Sequence, residues 1–423
     1  MNNGHTQQRE GSPDQAFLWG EGNMNHPERK IARSVDMPGR CQQFTDMVYS
    51  GKHPDPKQFW KEINTTPDKF NPPPAKYSLF CGEMHGHTTL SDSPCEHVDA
   101  DVYFRSIRDE AGLDFGALSD HDHGGVGRAE LWLDGKWDLI QSKVQEYYEP
   151  GKFTTLLAYE RDSYPFFNNL VIYYRNGKGE MFRGVRDGEI TREELSSLLK
   201  RDDILVVPHD SYCLSAGCDF LTLPPELFPP LLEIYSCSDC AEYFDHPLHK
   251  DSWVRGGSWQ DALTRGAKMG VIGGSDDHCG KPGQDLPEEK YPTCYRGVTG
   301  VWAEENTREA IFDALKARRC FAYMGNERMS LDFRINGHYM GESFSLGTGE
   351  TKNIWIDFHA PEKIERVTLV KNCRDHVILY GSGRQMIFDY RQETPCDCYY
   401  VRAITEKGRY CWSSPIWVNG PAD

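Results

Sequence analysis

Histidines with the spacing of metal ligands follow the first apolar segment of the chain. Residues 77–84 predict a β-strand that runs into the sequence His85-Gly86-His87. Side chains two positions apart in an extended chain point the same way, so both imidazoles can face one ion. A single His-x-His pair is weak evidence, because about 0.5 such pairs are expected by chance in a chain of this composition. Other ligands must therefore come from the ends of other strands.

The same kinds of side chain recur where later apolar segments end. The second predicted strand runs into Asp120, His121, Asp122 and His123, the third into Glu160, the fourth into His209, and the sixth into Asp276 and His278. In an α/β barrel the carboxyl ends of the strands open on one mouth, so residues far apart in sequence converge there. Imidazoles and carboxylates are common ligands of divalent metal ions. This repetition predicts a shared metal site.

Alternating strands and helices must position these residues. Helices are predicted from the cap Ser93-Pro94 to Gly112, from the capping-box sequence Thr191–Glu194, and over residues 307–319. Strands that alternate with helices are typical of an α/β protein with a parallel sheet or barrel. Seven strands are predicted, at residues 77–84, 113–119, 153–159, 204–208, 231–235, 271–274 and 298–303.

The two ends of the chain differ from this middle part. Residues 330–423 contain alternating runs, such as 354–358 and 399–404, separated by glycine-rich turns, which predict a C-terminal β-sandwich. Residues 1–76 are rich in Pro, Asn, Gln and Lys and predict an N-terminal extension with one helix near 56–63. The barrel is thus predicted over residues 77–329.

The overall charge argues against a polyanionic partner. The 423 residues include 47 Lys and Arg against 64 Asp and Glu, a formal net charge of −17. Metal ions bound among clustered carboxylates would neutralise part of that charge. No apolar run reaches the roughly 20 residues that span a bilayer, and the N-terminus lacks a secretory signal. We expect a cytoplasmic protein with a small-molecule substrate and neither a nucleic acid nor a membrane as partner.

The cysteines suggest one further metal site, which the spacing disfavours. Without a secretory signal, the 14 cysteines are predicted to be free thiols. Cys237-Ser-Asp-Cys240 has the CxxC form of a zinc site, with His246 and His249 beyond it. Only five residues separate Cys240 from His246, against roughly a dozen in a zinc finger. We therefore interpret the two histidines as residues of a solvated loop.

In their order along the chain, the strand-end motifs resemble the polymerase and histidinol phosphatase (PHP) superfamily of metal-dependent hydrolases. The resemblance covers residues 79–327 and rests on Gly82–His87 with Ser91-Asp92, Ser119–Asp122, Glu160, Pro208-His209 and Ser275–His278. Residues 307–325 and the final Trp412–Trp417 are similar to a branch that carries a C-terminal β domain and includes carbamate hydrolases. The resemblance implies a distorted (β/α)7, TIM-like barrel with two or three metal ions.

The resemblance also implies a set of metal ligands. His85, His87, Glu160 and Asp276 would hold a first ion, and Glu160 would bridge to a second ion that also takes His209. Asp92, His121 and His278 would hold a third ion, or complete the second if only two bind. Mixed nitrogen and oxygen ligands without thiolate suit Mn, Fe or Zn. So many imidazoles argue against Mg or Ca.

Several residues near these ligands have less defined roles. Glu233 lies within a predicted strand and could be a further ligand, an acceptor for a ligand, or an ordinary charged position. Asp120 and Asp122 flank a predicted ligand, so one of them could orient an imidazole or cap a turn. His123 and Arg161 are candidate catalytic residues that could bind an anionic or carbonyl oxygen, or could pair with nearby carboxylates.

These observations predict a metal-dependent hydrolase in which Glu160 is a catalytic residue. The nucleophile would be a hydroxide held between two ions. A small-molecule phosphoester is the first substrate class, because PHP relatives often cleave such esters and a multi-metal site suits the charge of the transition state. A carbamate, amide or carboxylic ester is the alternative, suggested by the branch with the β domain and by the few basic residues near the motifs. A non-catalytic, metal-stabilised binding module is a further alternative.

Overall fold

A computed structural model describes most of the chain. The described residues are 74–91, 98–122, 135–162, 166–167, 169–182, 190–212, 218–236, 239–248, 255–285, 295–347, 350, 352–380, 385–392 and 397–419. They all belong to one compact unit, Ile63–Asp423. Almost all of the predicted N-terminal extension, including its helix near 56–63, lies outside the described residues.

The described part is a mixed α/β fold built around one large sheet. All seven predicted strands are present, together with two further strands, β4 and β9. The strands of this part are β1 Ser78–Glu83, β2 Phe115–Leu118, β3 Thr154–Asp162, β4 Asn169–Tyr174, β5 Ile204–His209, β6 Leu231–Tyr235, β7 Gly270–Gly273, β8 Gly297–Ala303 and β9 Cys320–Met324. The α-helices of the described residues are α1 Ala100–Arg105, α2 Lys136–Glu146, α3 Arg192–Leu199, α4 Trp259–Thr264 and α5 Arg308–Lys316.

The strand directions are mixed, which corrects the prediction of a parallel sheet. β1, β2 and β3 are parallel neighbours, whereas β4 runs antiparallel between β3 and β5. Only six residues separate β3 from β4, and a parallel neighbour needs a crossover of roughly a dozen or more. β8 is likewise antiparallel to both β1 and β9. Because β4 reverses direction once, β5 again points the same way as β1, β2 and β3.

A separate pair of strands completes the arrangement. β6 and β7 pair in parallel with each other and pack against β5 on one side and β8 and β9 on the other. The packing brings the carboxyl ends of β1, β2, β3, β5 and β7 to one region of the molecule. A regular (β/α)7 barrel stays a prediction.

The helices begin and end where local sequence signals place them. In α3, Thr191 and Glu194 form the predicted capping box. α5 begins after Thr307, whose side chain accepts a hydrogen bond from the backbone N–H of Ala310, and its predicted apolar face is buried at Ile311 and other positions. Within the described residues α1 begins after the cap Asp99, and the start predicted at Ser93-Pro94 lies outside them. No helix among the described residues is long and apolar enough to cross a bilayer.

The C-terminal strands divide between the main sheet and a second, four-stranded sheet. They are β10 Ser330–Ile335, β11 His338–Tyr339, β12 Ser343–Phe344, β13 Lys352–His359, β14 Ile364–Lys371, β15 Arg374–Tyr380, β16 Gln385–Gln392, β17 Asp397–Thr405, β18 Tyr410–Ser413 and β19 Ile416–Val418. β11, β10, β13 and β16 form a four-stranded sheet, whereas β18 pairs with β9 and so joins β17, β14 and β15 to the large sheet. All the regular elements among the described residues of 330–423 are strands, as predicted. The two-layer sandwich and the domain boundary at residue 330 stay predictions.

A buried ion pair fastens these strands to the rest of the molecule. Glu242, which follows β6, is fully buried and accepts hydrogen bonds from Arg402 Nε at 2.8 Å, Tyr400 Oη at 2.6 Å and Trp412 Nε1 at 2.8 Å. Burial raises the pKa of Glu242, but the charges and hydrogen bonds of Arg402 and His246 together outweigh it and hold the pKa far below its usual value. The carboxylate is therefore neutralised by the protein's own guanidinium. We call Glu242, Arg402, Tyr400, Trp412 and the adjacent His246 the Glu242 cluster.

Candidate metal centre

Side chains from five strand ends converge on one buried site. His85 and His87 follow β1, His121 follows β2, Glu160 lies near the end of β3, His209 ends β5, and Asp276 and His278 follow β7. We call these seven residues the strand-end cluster. Their ligand atoms, with those of Glu233, form three groups in which all atoms lie within 4.8 Å of one another: His85, His87, Glu160 and Asp276; His87, His121 and His278; and His85, His209 and Glu233. Seven of the eight predicted metal ligands therefore lie together, and the eighth, Asp92, lies outside the described residues.

Glu160 lies at the centre of the strand-end cluster. Its Oε2 is 3.2 Å from Nε2 of His85, 3.2 Å from Nε2 of His87 and 3.3 Å from Nδ1 of His121. Its Oε1 accepts a hydrogen bond from the side-chain amide of Asn169 in β4. One oxygen thus faces three imidazoles, while the other is held by the neighbouring antiparallel strand.

Asp276 provides the second carboxylate. Its Oδ1 is 3.1 Å from Nε2 of His87 and 3.7 Å from Nε2 of His85, and its Oδ2 is 3.5 Å from Nε2 of His209. Asp276 has a φ of 48°, and Asp210, which follows β5, has a φ of 51°. Left-handed backbone at non-glycine residues is strained and persists only where the surroundings impose it, often at functional sites. Two of the strand ends that form the cluster carry this strain.

Nδ1 of His87, the ring nitrogen that faces away from the strand-end cluster, has a fixed hydrogen-bond partner. Its Nδ1 lies 3.1 Å from Oγ of Ser91, which in turn donates to Oδ1 of Asp120 at 2.6 Å and accepts from the backbone N–H of His121 at 2.9 Å. Because the hydroxyl proton goes to Asp120, Nδ1 of His87 must be the donor to Ser91. In the neutral ring Nε2 then carries the lone pair that faces the cluster. Asp120 therefore orients an imidazole through Ser91.

Three more imidazoles have a fixed partner at Nδ1. Oε2 of Glu233 is 2.8 Å from Nδ1 of His85, and Oε1 of Glu233 is 3.2 Å from Nδ1 of His209. Nδ1 of His278 is 2.9 Å from the backbone carbonyl of Asp276. Carboxylate and carbonyl oxygens only accept hydrogen bonds, so each Nδ1 carries a proton. In the neutral rings each Nε2 carries a lone pair.

The charges of the cluster favour ionised carboxylates beside protonated imidazoles. Burial raises the pKa of Glu160, but the charges of His121 and His85 outweigh it and hold the pKa well below its usual value. Burial likewise raises the pKa of Asp276, and the neighbouring histidines lower it well below its usual value. Burial lowers the pKa of His87, but hydrogen bonds with Asp276 and Glu160 raise it to about 9. A divalent cation supplies the positive charge that these protons otherwise supply.

The donor set fits a divalent transition metal. Lone pairs of neutral imidazoles and carboxylate oxygens repel each other at these distances unless a proton or a cation lies between them. Ligand atoms about 2.1 Å from one ion in tetrahedral geometry lie roughly 3.4 Å apart. The nitrogen-to-oxygen distances from Asp276 to His85, His87 and His209 are 3.1 to 3.7 Å. None of the groups found among the described residues includes a cysteine, so all their ligand atoms are nitrogen or oxygen.

The predicted oxygen-binding residues are not part of these groups. His123 lies outside the described residues. Arg161 is buried in β3, directly after Glu160. Successive side chains of a strand point to opposite faces, so Arg161 lies on the face of β3 away from Glu160. Its role as a catalytic residue stays a prediction.

Two polar residues of the site were not predicted from the sequence. Oδ2 of Asp210 is 3.2 Å from Nε2 of His209, and Asn169 holds Glu160. Asp210 directly follows a strand-end histidine, so the same strand-end pattern could have identified it. Asn169 begins an antiparallel strand that was not predicted, and no local signal pointed to it.

His246 is buried, which corrects its assignment to a solvated loop. Its Nδ1 accepts a hydrogen bond from the backbone N–H of Leu248 at 3.2 Å. Cys240 is buried with a free thiol, and burial raises its pKa well above the usual value. Neither residue belongs to a metal-ligand group within the described part of the chain, and Cys237 and His249 lie outside that part.

The chain is similar to three uncharacterized proteins of Chlamydia species. An uncharacterized protein of Chlamydia pneumoniae is 25% identical over 373 residues, which cover 81% of this chain and 57% of that protein. Uncharacterized proteins of Chlamydia muridarum and Chlamydia trachomatis are each 24% identical over 387 residues, with the same shares covered. The chain thus spans little more than half the length of these curated relatives.

Two further similarities concern a family and a solved structure. The family model described as a protein of unknown function (DUF3604) matches residues 285–353. The crystal structure of a two-domain protein containing a predicted PHP-like metal-dependent phosphoesterase, from Bacteroides vulgatus, is 13% identical with a TM-score of 0.39. That similarity covers 79% of this chain and 93% of the other.

Proposed function

We propose that the protein is a metal-dependent hydrolase and that the strand-end cluster holds two or three divalent transition-metal ions. The observation that carries this proposal is the orientation of the imidazoles. His85, His87 and His209 each have Nδ1 bonded to an outer partner and Nε2 facing the carboxylates of the cluster. Histidine ligands of metal ions characteristically donate their other ring N–H to a carboxylate, carbonyl or similar partner in this way.

The residues of the cluster have complementary roles in the proposed site. The proposed metal ligands are His85, His87, Asp92, His121, Glu160, His209, Asp276 and His278. Bound ions supply acidification of a coordinated water and polarisation of the substrate oxygen. Asn169 orients Glu160, and Ser91 with Asp120 orients His87. These neighbours keep the ligand atoms in place before an ion arrives.

The first substrate class that we propose is a small-molecule phosphoester, because several divalent ions stabilise the charge of phosphoryl transfer. A carbamate, amide or carboxylic ester is the second candidate, and the position of Arg161 favours it. Phosphate groups are commonly held by Arg in a bidentate manner. Arg161 lies on the opposite face of β3 from Glu160. A neutral substrate needs no such clamp.

The proposal extends to the family and the architecture. We infer membership of the PHP superfamily, in the branch with a C-terminal β domain that includes carbamate hydrolases. The inferred architecture is a distorted (β/α)7 barrel over residues 77–329 and a β-sandwich over 330–423. The order of the motifs along the chain supports the family, and the packing of β6 and β7 between β5 and β9 supports the barrel.

Metal analysis combined with a substrate panel tests the proposal. The full chain, expressed in medium containing Mn, Fe and Zn, should retain at least two metal equivalents by plasma emission spectrometry. Nitrophenyl phosphate, carbamate and acetate substrates would be assayed before chelation, after chelation and after return of each metal. Hydrolysis that is lost and restored with the metal supports the proposal. Folded protein with less than one equivalent contradicts it, and bound metal without any hydrolysis favours the non-catalytic binding module.

A further inference from the structure

Glu233 is a charged residue in an otherwise apolar strand. All five residues of β6, Leu231-Leu-Glu-Ile-Tyr235, are buried. Burying a carboxylate costs free energy unless specific partners compensate for the lost hydration. Glu233 lies 2.8 Å from Nδ1 of His85 through Oε2 and 3.2 Å from Nδ1 of His209 through Oε1. Each oxygen therefore has its own imidazole partner.

We propose that Glu233 is a positioning residue and not a metal ligand. One carboxylate fixes the tautomer and the orientation of two histidines at once, so that His85 and His209 both present Nε2 to the metal ions. This inference rests on the proposed function only in requiring that ions bind at the strand-end cluster. His85, His209 and Glu233 then form a hydrogen-bonded arrangement, which we call the clamp. The metal ions bind at the other two groups of ligand atoms.

The two nitrogens of the His85 ring show whether Glu233 is a positioning residue or a metal ligand. Glu233 faces Nδ1, whereas Glu160 and Asp276 face Nε2, at 3.2 and 3.7 Å. One ring cannot direct both nitrogens at the same cation. The rings of His85 and His209 meet edge to face, with centroids 4.4 Å apart. A carboxylate that bridges their outer nitrogens holds this arrangement.

The chemistry of the clamp requires a carboxylate rather than an amide. Two Nδ1–H donors need two acceptor oxygens, and glutamine has only one. In Glu233→Gln, the amide NH₂ would face one of the two Nδ1–H groups, donor against donor. That ring must either rotate or move its proton to Nε2, where the proton would block the lone pair. Ser91 and Asp120 hold His87 by the same principle, through a hydroxyl.

Zinc binding and histidine NMR together test this inference. The metal-stripped full chain and its Glu233→Gln variant would be titrated with Zn²⁺ by calorimetry. Two-bond ¹⁵N–¹H spectra of histidine-labelled, zinc-loaded protein report which nitrogen of each ring carries the proton. His85→Gln and His209→Gln assign the two sets of signals. A matched control is Glu342→Gln, because Glu342 lies 2.8 Å from Nδ1 of His338 at a partly exposed position.

The expected result is an unchanged number of zinc ions bound with roughly 10- to 100-fold weaker affinity in Glu233→Gln. Wild-type His85 and His209 should both show a protonated Nδ1, and at least one ring should change in the variant. Glu342→Gln should alter neither measurement. The wild-type spectrum tests the inference even if the variant does not fold.

Three results would overturn the inference. The first is loss of one zinc equivalent in Glu233→Gln with the remaining affinity unchanged, because that identifies a ligand. The second is a protonated Nε2 on His85 and His209 in the wild type. The third is a variant indistinguishable from the wild type in both measurements. Zinc binding without hydrolysis of any substrate would refute the proposed function and leave the role of Glu233 standing.

Discussion

Glu242 and Glu160 are both buried carboxylates with several polar partners, and their charges are balanced in opposite ways. Glu242 accepts hydrogen bonds from the guanidinium of Arg402, the hydroxyl of Tyr400 and the indole of Trp412. Glu160 instead faces three imidazoles through one oxygen. The first carboxylate is neutralised by a permanent positive charge, whereas the second is surrounded by groups that are cationic only when they are protonated.

The tautomers of the neighbouring histidines show the same difference. His246 accepts a backbone N–H at Nδ1, so its neutral ring carries the proton at Nε2, which lies 3.2 Å from Oε2 of Glu242. His85 and His87 have their Nδ1 protons bonded outside the cluster, and the lone pairs of their neutral rings point toward Glu160. The charge of a buried acid that faces hydrogen-bond donors is balanced by the protein itself. A buried acid that faces lone pairs is balanced only when those rings are protonated or a cation is bound.

The largest effect is expected from Glu160→Gln, which tests whether the Glu160 carboxylate holds metal ions. The amide keeps the shape of the side chain but loses its charge and one acceptor oxygen. We expect loss of bound metal and a fall in turnover of at least about 1000-fold in a protein that remains folded, because activation of water by the ions is lost. Metal analysis and assays in excess metal would measure both effects.

The matched control for this variant is Glu342→Gln, which removes the charge from a partly exposed glutamate that also pairs with a histidine. Its turnover should be unchanged. Retention of more than about a tenth of the activity in Glu160→Gln, a barrier change under roughly 1.4 kcal/mol, would contradict the central role of Glu160.

The second largest effect is expected in the Glu242 cluster and concerns stability instead of metal. Glu242→Gln leaves the buried Arg402 with only the more exposed Asp375 as an acidic partner, so the free energy of unfolding should fall by about 3 to 5 kcal/mol. Metal content per folded molecule should not change. Asp375→Asn is the control, because Asp375 pairs with Arg402 from a partly exposed position and should contribute less than about 1 kcal/mol. Loss of metal in Glu242→Gln at unchanged stability would show that Glu242 contributes to metal binding and not to stability.

A smaller effect is expected from Asn169→Ala. Removal of the amide frees Oε1 of Glu160, so the carboxylate can rotate away from the imidazoles. Loss of a partner that orients a ligand typically weakens metal affinity by about 10- to 100-fold. Metal titration of the purified variant measures this, with the exposed Asn353→Ala as control. Wild-type affinity in Asn169→Ala would show that β4 does not orient Glu160.

An effect comparable in size to that of Asn169→Ala is expected from pH. The pKa of His87 is raised to about 9, so below that pH the metal-free ring is protonated and an incoming ion must displace the proton. Metal affinity should therefore fall as the pH is lowered from 9 to 7, by up to about tenfold per unit for each proton displaced. Calorimetry with Mn²⁺ in buffers of different ionisation enthalpy measures both the affinity and the protons released. Affinity that does not change with pH would contradict this prediction.

The chain itself carried the strongest signals for the strands and for the residues at their ends. The seven predicted strands are present because short apolar runs bounded by turns report a buried strand locally. β4 was missed because the alternation of strands with helices implied a crossover after β3, whereas the short connection produces an antiparallel neighbour. His246 was wrongly assigned to a solvated loop because the residues of β18 that help to bury it lie more than 150 positions further along the chain.

By itself, the sequence determined which residue types stand at the strand ends: the imidazoles of His85, His87, His121, His209 and His278 and the carboxylates of Glu160 and Asp276. Residue type and strand-end position are local properties, so they can be read along the chain. Only the tertiary structure decided which nitrogen of each imidazole faces the cluster. That choice depends on acceptors such as Glu233, 148 residues from His85, and Asp120, which acts through Ser91. A buried glutamate is neutralised by a guanidinium at position 242 and faces three imidazoles at position 160, because residues distant in sequence set the charges and protons around each carboxylate.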